Sequence, residues 1–279
     1  MRLLLTYSKL ILIIALIACQ EIIDLDINDN ANLVTVEAFI SAADSSSEVI
    51  LSRTVGFSSA DLNPGLTGAE VRLRGADNSS YIYIDAGNGR YTSSRLQLVT
   101  ATPYVLEIVL DNGDTIISAS ETALDAPQID SISYNSILLP DPDFPRLEVT
   151  IYYPVIYLND PGNESNRYLF QLYKNDTLYS SSDDLVLLDD RFINGNRFSN
   201  EFPQFIYELS DTIKIDLSAI SRSTFEYLEQ FKKQTAQLSS NLLTTPSGLT
   251  GNLRYTNKSE AVLGYFGILS TSTDVKIIE

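Results

Sequence analysis

Hydrophobic and polar residues alternate with a period of two along much of the chain, and this pattern predicts short β-strands. Val71 and Leu73, for example, alternate with Arg72 and Arg74, and turn sequences such as Asp111-Asn112-Gly113-Asp114 separate the segments. The strands predicted in the first half are 32–40, 48–55, 70–74, 81–84, 90–92, 104–110 and 115–120. Strands at this spacing predict a β-sandwich over residues 32–126.

The second half, residues 127–279, begins after a linker at Ala126-Pro127 and predicts a second antiparallel β domain. Its predicted strands begin at Ile129 and continue with 147–153, 167–174, 177–179, 212–217, 261–270 and 274–278. Residues 180–204 read as an acidic, polar excursion, and 244–258 as a loop. Gly264 and Gly267 predict a bulge or a close backbone approach. The fold class expected from the pattern is therefore mainly β.

One segment has helical spacing instead, and it predicts a single helix over about residues 218–240. Ser223 and Glu226 fit a capping box at its start, and Glu229 with Lys233 forms an i,i+4 pair. The apolar stripe consists of Phe225, Leu228, Phe231, Thr235 and Leu238. The sequence is compatible with two roles for this stripe, which either packs on the protein's own sheet or contacts a partner protein.

The first 18 residues combine Arg2 and Lys9 with an apolar run of nine residues, which is shorter than the roughly 20 that a membrane-spanning helix needs. They predict a signal peptide. Leu16-Ile17-Ala18-Cys19 resembles the lipobox of bacterial lipoproteins. The resemblance implies cleavage after Ala18, acyl chains such as palmitate on Cys19, and a lipidated tether over residues 19–31.

Composition narrows the possible functions. The chain carries 19 basic and 36 acidic residues, a formal net charge of −17, which disfavours binding to nucleic acid. It contains no histidine, which excludes histidine-dependent catalysis and histidine metal ligands. Cys19 is its only cysteine, so no internal disulfide can form. With no phosphate-binding loop or nucleophile elbow, we expect neither an enzyme nor a cofactor.

Two groups of residues are candidates for ligand binding. Asp189, Asp190 and Asn194 offer the oxygen ligands that calcium prefers, although Phe192 breaks the EF-hand pattern. A merely solvated acidic loop is the alternative interpretation. The second group is a set of tyrosines that form either an exposed platform for sugar or peptide or ordinary strand packing, namely Tyr152, Tyr153, Tyr157, Tyr168, Tyr173 and Tyr179.

Several short motifs follow one another in a characteristic order along the chain, namely Cys19-Gln20-Glu21-Ile22-Ile23-Asp24, Leu33-Val34-Thr35-Val36-Glu37-Ala38, Gly68-Ala69-Glu70-Val71-Arg72-Leu73, Pro127-Gln128-Ile129-Asp130-Ser131-Ile132, Phe225-Glu226-Tyr227-Leu228 and Gly264-Tyr265-Phe266. Motifs in this order resemble a family of Bacteroidota envelope lipoproteins known as domain of unknown function 4249. The resemblance implies an outer-membrane lipoprotein often encoded beside a TonB-dependent receptor, and it implies no activity. Residues 68–120 also resemble an immunoglobulin-like or transthyretin-like sandwich.

Together these expectations describe a lipid-anchored protein of the outer membrane, on its periplasmic or its surface face. It would act without catalysis, through contact with another protein such as a TonB-dependent transporter. The alternative is a surface module that binds sugar or peptide, or that adheres. The tyrosines separate the two hypotheses, because an exposed aromatic cluster favours the second and buried rings favour the first.

Overall fold

A computed structural model describes residues 32–56, 64–126, 128–140, 146–162, 165–239 and 248–279. The predicted signal peptide, Cys19 and the tether lie outside the described residues. The described part of the chain is mainly β, with two sheets and one α-helix, so the predicted fold class is confirmed. No helix in these ranges combines the length and the apolar character that crossing a membrane requires.

Eight strands come from the first half of the chain. Seven of them lie within a few residues of a predicted strand, and the eighth, β8, is a two-residue strand that was not predicted. They are β1 (Val34–Ser41), β2 (Ser46–Arg53), β3 (Glu70–Gly75), β4 (Ser80–Gly87), β5 (Arg90–Ser94), β6 (Pro103–Val109), β7 (Thr115–Ser118) and β8 (Glu121–Thr122). In β1 the side chains of Val34, Val36, Ala38 and Ile40 are buried, while the residues between them are not. In β3 the buried side chains are Val71 and Leu73, the two that the period-two pattern placed on one face.

Nine strands and the helix come from the second half. They are β9 (Ile129–Pro140), β10 (Glu148–Asn159), β11 (Arg167–Lys174), β12 (Thr177–Leu178), β13 (Val186–Asp189), β14 (Arg197–Glu201), β15 (Thr212–Ala219), α1 (Arg222–Ser239), β16 (Leu253–Tyr255) and β17 (Val262–Ile277). The large sheet has the order β12-β11-β15-β17-β1-β2-β5-β4-β3-β6-β7-β16, with β13 beside β11 and β8 beside β6. The small sheet has the order β14-β10-β9.

The large sheet bends back on itself at β4, and at β17 it continues from the first half of the chain into the second. The first part of β4 pairs with β3 and its second part with β5, which places two layers face to face. A single buried cluster, which includes Leu51, Leu73, Leu106 and Phe266, forms the core of this half. A second cluster, with Ile156, Phe170 and Leu217 among its members, forms the core of the other half.

Strand β17 connects the two halves. The sequence predicts two strands, 261–270 and 274–278, but the structure has one strand of 16 residues. Its first part pairs in parallel with β1, from Val34 opposite Val262 onward, and its second part pairs antiparallel with β15. Strand β16, within the segment predicted as a loop, pairs with β7. Residues of the predicted second domain therefore complete the sheet of the first.

The polar segment 180–204 also contains more structure than its composition suggests. Strand β13 pairs with β11, and β14 pairs with β10. Both are short edge strands with partly exposed side chains, so neither has the strong apolar alternation that sequence reasoning depends on. Their partners, rather than their own sequence, determine that they are strands.

The helix was predicted at nearly the right place, but its cap was assigned to the wrong serine. Ser221, not Ser223, precedes the first turn, and its hydroxyl accepts a hydrogen bond from the Thr224 amide at 3.1 Å. Glu226 pairs with Arg222 at 2.7 Å instead of closing a capping box. The predicted Glu229–Lys233 pair is present at 3.5 Å.

Candidate functional site

A run of exposed apolar residues lies at the far end of the β9–β10 hairpin. We call residues 136–140 and 147–151 the distal hairpin. Ile137, Leu138, Leu139 and Leu147 are 47%, 60%, 38% and 59% exposed. A large apolar side chain on an isolated surface position is common, but a contiguous apolar patch marks an interaction surface.

The pairing of the two strands places Ile137 and Leu139 on one face of the hairpin, whereas Leu138, opposite Thr150, points to the other face. Ile137 lies opposite Ile151, and Leu139 lies opposite Val149, so four apolar residues form a strip across the two strands. Closer to the body of the protein the hairpin is fixed in place, since Tyr134 packs edge-on against Tyr152 at 5.5 Å and donates a hydrogen bond to the Glu279 carbonyl. The strip is thus an extended, anchored feature of the fold.

Within the described ranges, the distal hairpin also has strand edges without a pairing partner. Strand β9 forms the edge of the small sheet, and β14 pairs with β10 only from Val155 onward. Backbone groups along Glu148–Ile151 and along the outer side of residues 136–140 therefore have no described strand beside them and can pair with another strand. The sequence carried a signal for this surface, because Ile137, Leu138 and Leu139 are three consecutive apolar residues beside a proline, but strand alternation alone did not identify it.

A cleft of about 520 Å³ lies between the two halves of the described chain. The first half contributes residues 120–125 to its wall, and the second half contributes 165–167 and 219–223. Its most unusual member is Glu121, whose side chain is buried at 2% exposure. Sequence reasoning missed this residue, because nothing in its local pattern distinguishes it from a surface carboxylate.

Three neutral hydroxyl groups satisfy the Glu121 carboxylate. Ser223 donates to Oε1 at 2.8 Å, Tyr265 donates to the same oxygen at 3.1 Å, and Thr224 donates to Oε2 at 3.3 Å. Ser223 and Thr224 belong to the first turn of α1, where the helix dipole favours a negative charge. Glu121 therefore connects β8, α1 and β17 in a way that suits a structural role.

The candidate tyrosines do not form an exposed platform. None of the six side chains is exposed to solvent over most of its surface, and Tyr168 is fully buried. Tyr179 packs edge-on against Phe205 at 5.0 Å, and Tyr173 lies under the Lys214 ammonium at 4.2 Å. This arrangement supports strand packing over a stacking site for sugar.

The calcium candidates lie in different environments. Asp189 forms ion pairs with Arg167 at 3.6 Å and with Arg191 at 2.9 Å, so its charge is already neutralised. Asp190 is fully buried, and the Asn194 amide donates to its backbone carbonyl at 2.9 Å. Within the described ranges, no group of three or more Asp, Glu, His or Cys side chains is arranged to hold a metal ion.

The fold and these surfaces define a mainly-β protein with one helix and an exposed apolar hairpin. The model of the family described as "Domain of unknown function (DUF4249)" matches residues 20–274, so the chain belongs to this family. The family named from the sequence motifs is thereby confirmed, whereas the envelope-lipoprotein context and the immunoglobulin-like or transthyretin-like likeness stay predictions. No curated protein matches the chain significantly.

Proposed function

We propose that this chain is a lipid-anchored protein of the cell envelope that acts without catalysis, by binding another protein through its distal hairpin. The hairpin carries the proposal, because it combines an apolar strip with two open strand edges. The end of the hairpin is only two strands wide among the described residues, and an isolated two-stranded hairpin is marginally stable in water, so a partner that covers the strip would stabilise it.

The partner that fits best is an outer-membrane receptor of the TonB-dependent class. The motifs of Bacteroidota envelope lipoproteins in the sequence support this choice, as does the predicted anchor at Cys19. The anchor would hold the chain at the outer membrane, on the periplasmic or the surface face, and would place it beside such a receptor. An added strand from the receptor along β9 would supply backbone hydrogen bonds, and the strip would supply apolar contact.

The first half then serves as a support of the immunoglobulin-like or transthyretin-like kind. Its two layers face each other across one core, and this arrangement supports the likeness drawn from residues 68–120. We expect no nucleic-acid partner, because the net charge of −17 disfavours contact with phosphate groups.

Affinity capture from membranes of the native bacterium tests the proposal. The tagged full-length protein should recover an outer-membrane β-barrel receptor after crosslinking in intact cells. The double variant Ile137→Asn, Leu139→Asn should lose most of that recovery, because it places polar groups on the strip while leaving the buried core unchanged.

The matched control is the double variant Ile82→Asn, Ile84→Asn on β4, whose side chains are 64% and 71% exposed. This variant should recover the receptor as the wild type does. The proposal is wrong if the wild-type protein recovers no β-barrel receptor, or if the hairpin variant recovers it as well as the control variant does.

A further inference from the structure

Two buried carboxylates, Asp160 and Asp190, accept hydrogen bonds from Tyr168 and Asn166 at the start of β11. Asp160 is 6% exposed and Asp190 is fully buried. Among the described residues, no lysine or arginine forms an ion pair with either, although Asp189 next to them has two such partners. A buried carboxylate without a counter-charge is strongly unfavourable, so the pair requires a proton, a water network or a cation.

The oxygen atoms of this cluster are only partly satisfied. Asp160 accepts from the Tyr168 hydroxyl at 2.5 Å and from the Gly195 amide at 3.0 Å. Asp190 Oδ2 accepts from the Asn166 amide at 2.6 Å. In contrast, Asp190 Oδ1 and Asn166 Oδ1 are both buried and have no donor among the described residues. Asp190 and Asn166 therefore each have a buried acceptor oxygen without a donor, whereas buried acceptors are normally paired.

The chain segments that carry these residues are in direct contact. The Asp190 amide donates to the Asn166 carbonyl at 3.2 Å. A Cβ atom on Gly162 would lie 2.9 Å from the Gly195 Cα, so no side chain separates the backbone after Asp160 from the backbone after Asn194.

We propose that Asp160, Asn166 and Asp190 hold a calcium ion, with the unpaired Oδ1 atoms of Asp190 and Asn166 as two of its ligands. Calcium binds carboxylate and amide oxygens and accepts irregular geometry, whereas magnesium requires a near-ideal octahedron. The proposed site has two carboxylate ligands, from Asp160 and Asp190, and one amide ligand, from Asn166. Backbone carbonyls and water complete the coordination shell of the calcium ion. Of the calcium candidates from the sequence, Asp190 is a ligand here, Asp189 is paired with arginines, and Asn194 lies at the side of the site.

Calorimetric titration of the purified full-length protein, after treatment with a chelator, tests this site. Calcium alone should bind saturably, with a Kd on the order of 10⁻⁴–10⁻³ M as in extracellular modules. Calcium at about 100 times the Kd should raise the melting temperature by roughly 5 °C, and magnesium at the same concentration should have a much smaller effect.

Asp190→Asn is the decisive variant. It should abolish the calcium response, while its melting temperature without calcium should equal or exceed that of the wild type, because the neutral amide removes a buried charge that has no counter-charge. Asp183→Asn is the control, since Asp183 is an exposed acid of the same acidic segment. It should respond to calcium as the wild type does.

If Asp190→Asn does not fold, Asn166→Ala replaces it and should weaken calcium binding roughly 10-fold. Several results would overturn the site: no heat and no thermal shift at millimolar calcium, equal responses to calcium and magnesium, or unchanged binding in both variants. A crystal structure grown with calcium that shows only water beside Asp190 Oδ1 would do the same. None of these results bears on receptor capture by the distal hairpin.

Discussion

At the scale of single residues, Gly264 shows how closely the two halves of the chain approach each other. Its φ angle is +94°, a conformation that side chains rarely adopt, and a Cβ atom there would overlap the Val36 carbonyl on β1. The sequence predicted a close approach or a bulge at this glycine, and the structure has the close approach. The glycine is needed because it lies opposite Val36 in the β1–β17 ladder, where its backbone leaves no room for a Cβ atom.

We therefore expect Gly264→Ala to destabilise the protein by about 3 kcal/mol, since it adds both backbone strain and a clash with fixed backbone atoms. For a chain of this size that corresponds to a fall in melting temperature of roughly 10 °C. Gly248→Ala is the control, because its new Cβ would meet nothing within 4 Å. Equal melting temperatures for the two variants would contradict the close approach.

At the scale of elements, the sequence predicted the strands that follow their own alternation and missed those that depend on a partner. Strand β11 has the predicted bounds, Arg167–Lys174, because it lies inside the sheet and its apolar residues face a core. Strands β13 and β16 escaped prediction because they are short and gain their hydrogen bonds from β11 and β7. Local pattern cannot report such distant pairing.

The candidate sites divide in the same way. Asp190 and the tyrosines were identified from residue type, but their burial depends on packing between distant segments. Glu121 and Ser223 are 102 positions apart, and Asp160 and Gly195 are 35 apart. Neither contact has a signature in the local sequence. The distal hairpin is intermediate, because its apolar run is visible in the sequence whereas its exposure requires the fold.

Glu121 provides a test at this scale, because one carboxylate holds three elements together. Glu121→Ala should cost about 3 kcal/mol, since it leaves three donors near the cleft without an acceptor. Glu121→Gln keeps an acceptor of similar shape and should cost about 1 kcal/mol. Thermal unfolding measures both effects.

The exposed Glu70 supplies the control, and Glu70→Ala should change the stability by less than about 0.5 kcal/mol. A Glu121→Gln variant that is more stable than the wild type would show the opposite of the expected balance. In that case the cost of burying the charge would exceed the stabilisation from the three hydroxyls and the helix dipole.

At the scale of the whole molecule, the acidic charge, the distal hairpin and the predicted anchor each affect how the protein is held at the membrane. Exposed acidic residues keep the surface hydrated and are repelled by anionic phosphates, so the charge of −17 gives no attraction to a lipid surface. Under the proposed function, retention at the membrane then depends on the acyl chains of Cys19. The apolar hairpin is left available for a protein partner, and it is too small to replace two acyl chains as an anchor.

Cys19→Ser should therefore release the protein from the membrane. The variant should move to the soluble fraction when envelopes are separated by centrifugation, and it should no longer incorporate a labelled fatty acid. Both effects follow because a stable anchor needs two or more acyl chains, each contributing about 0.8 kcal/mol per buried CH₂. Tyr83→Phe, which changes one buried hydroxyl in the first half, should stay in the membrane fraction and keep the label. If Cys19→Ser also remains membrane-bound and labelled, the anchor lies elsewhere, and the proposed placement beside a receptor loses its support.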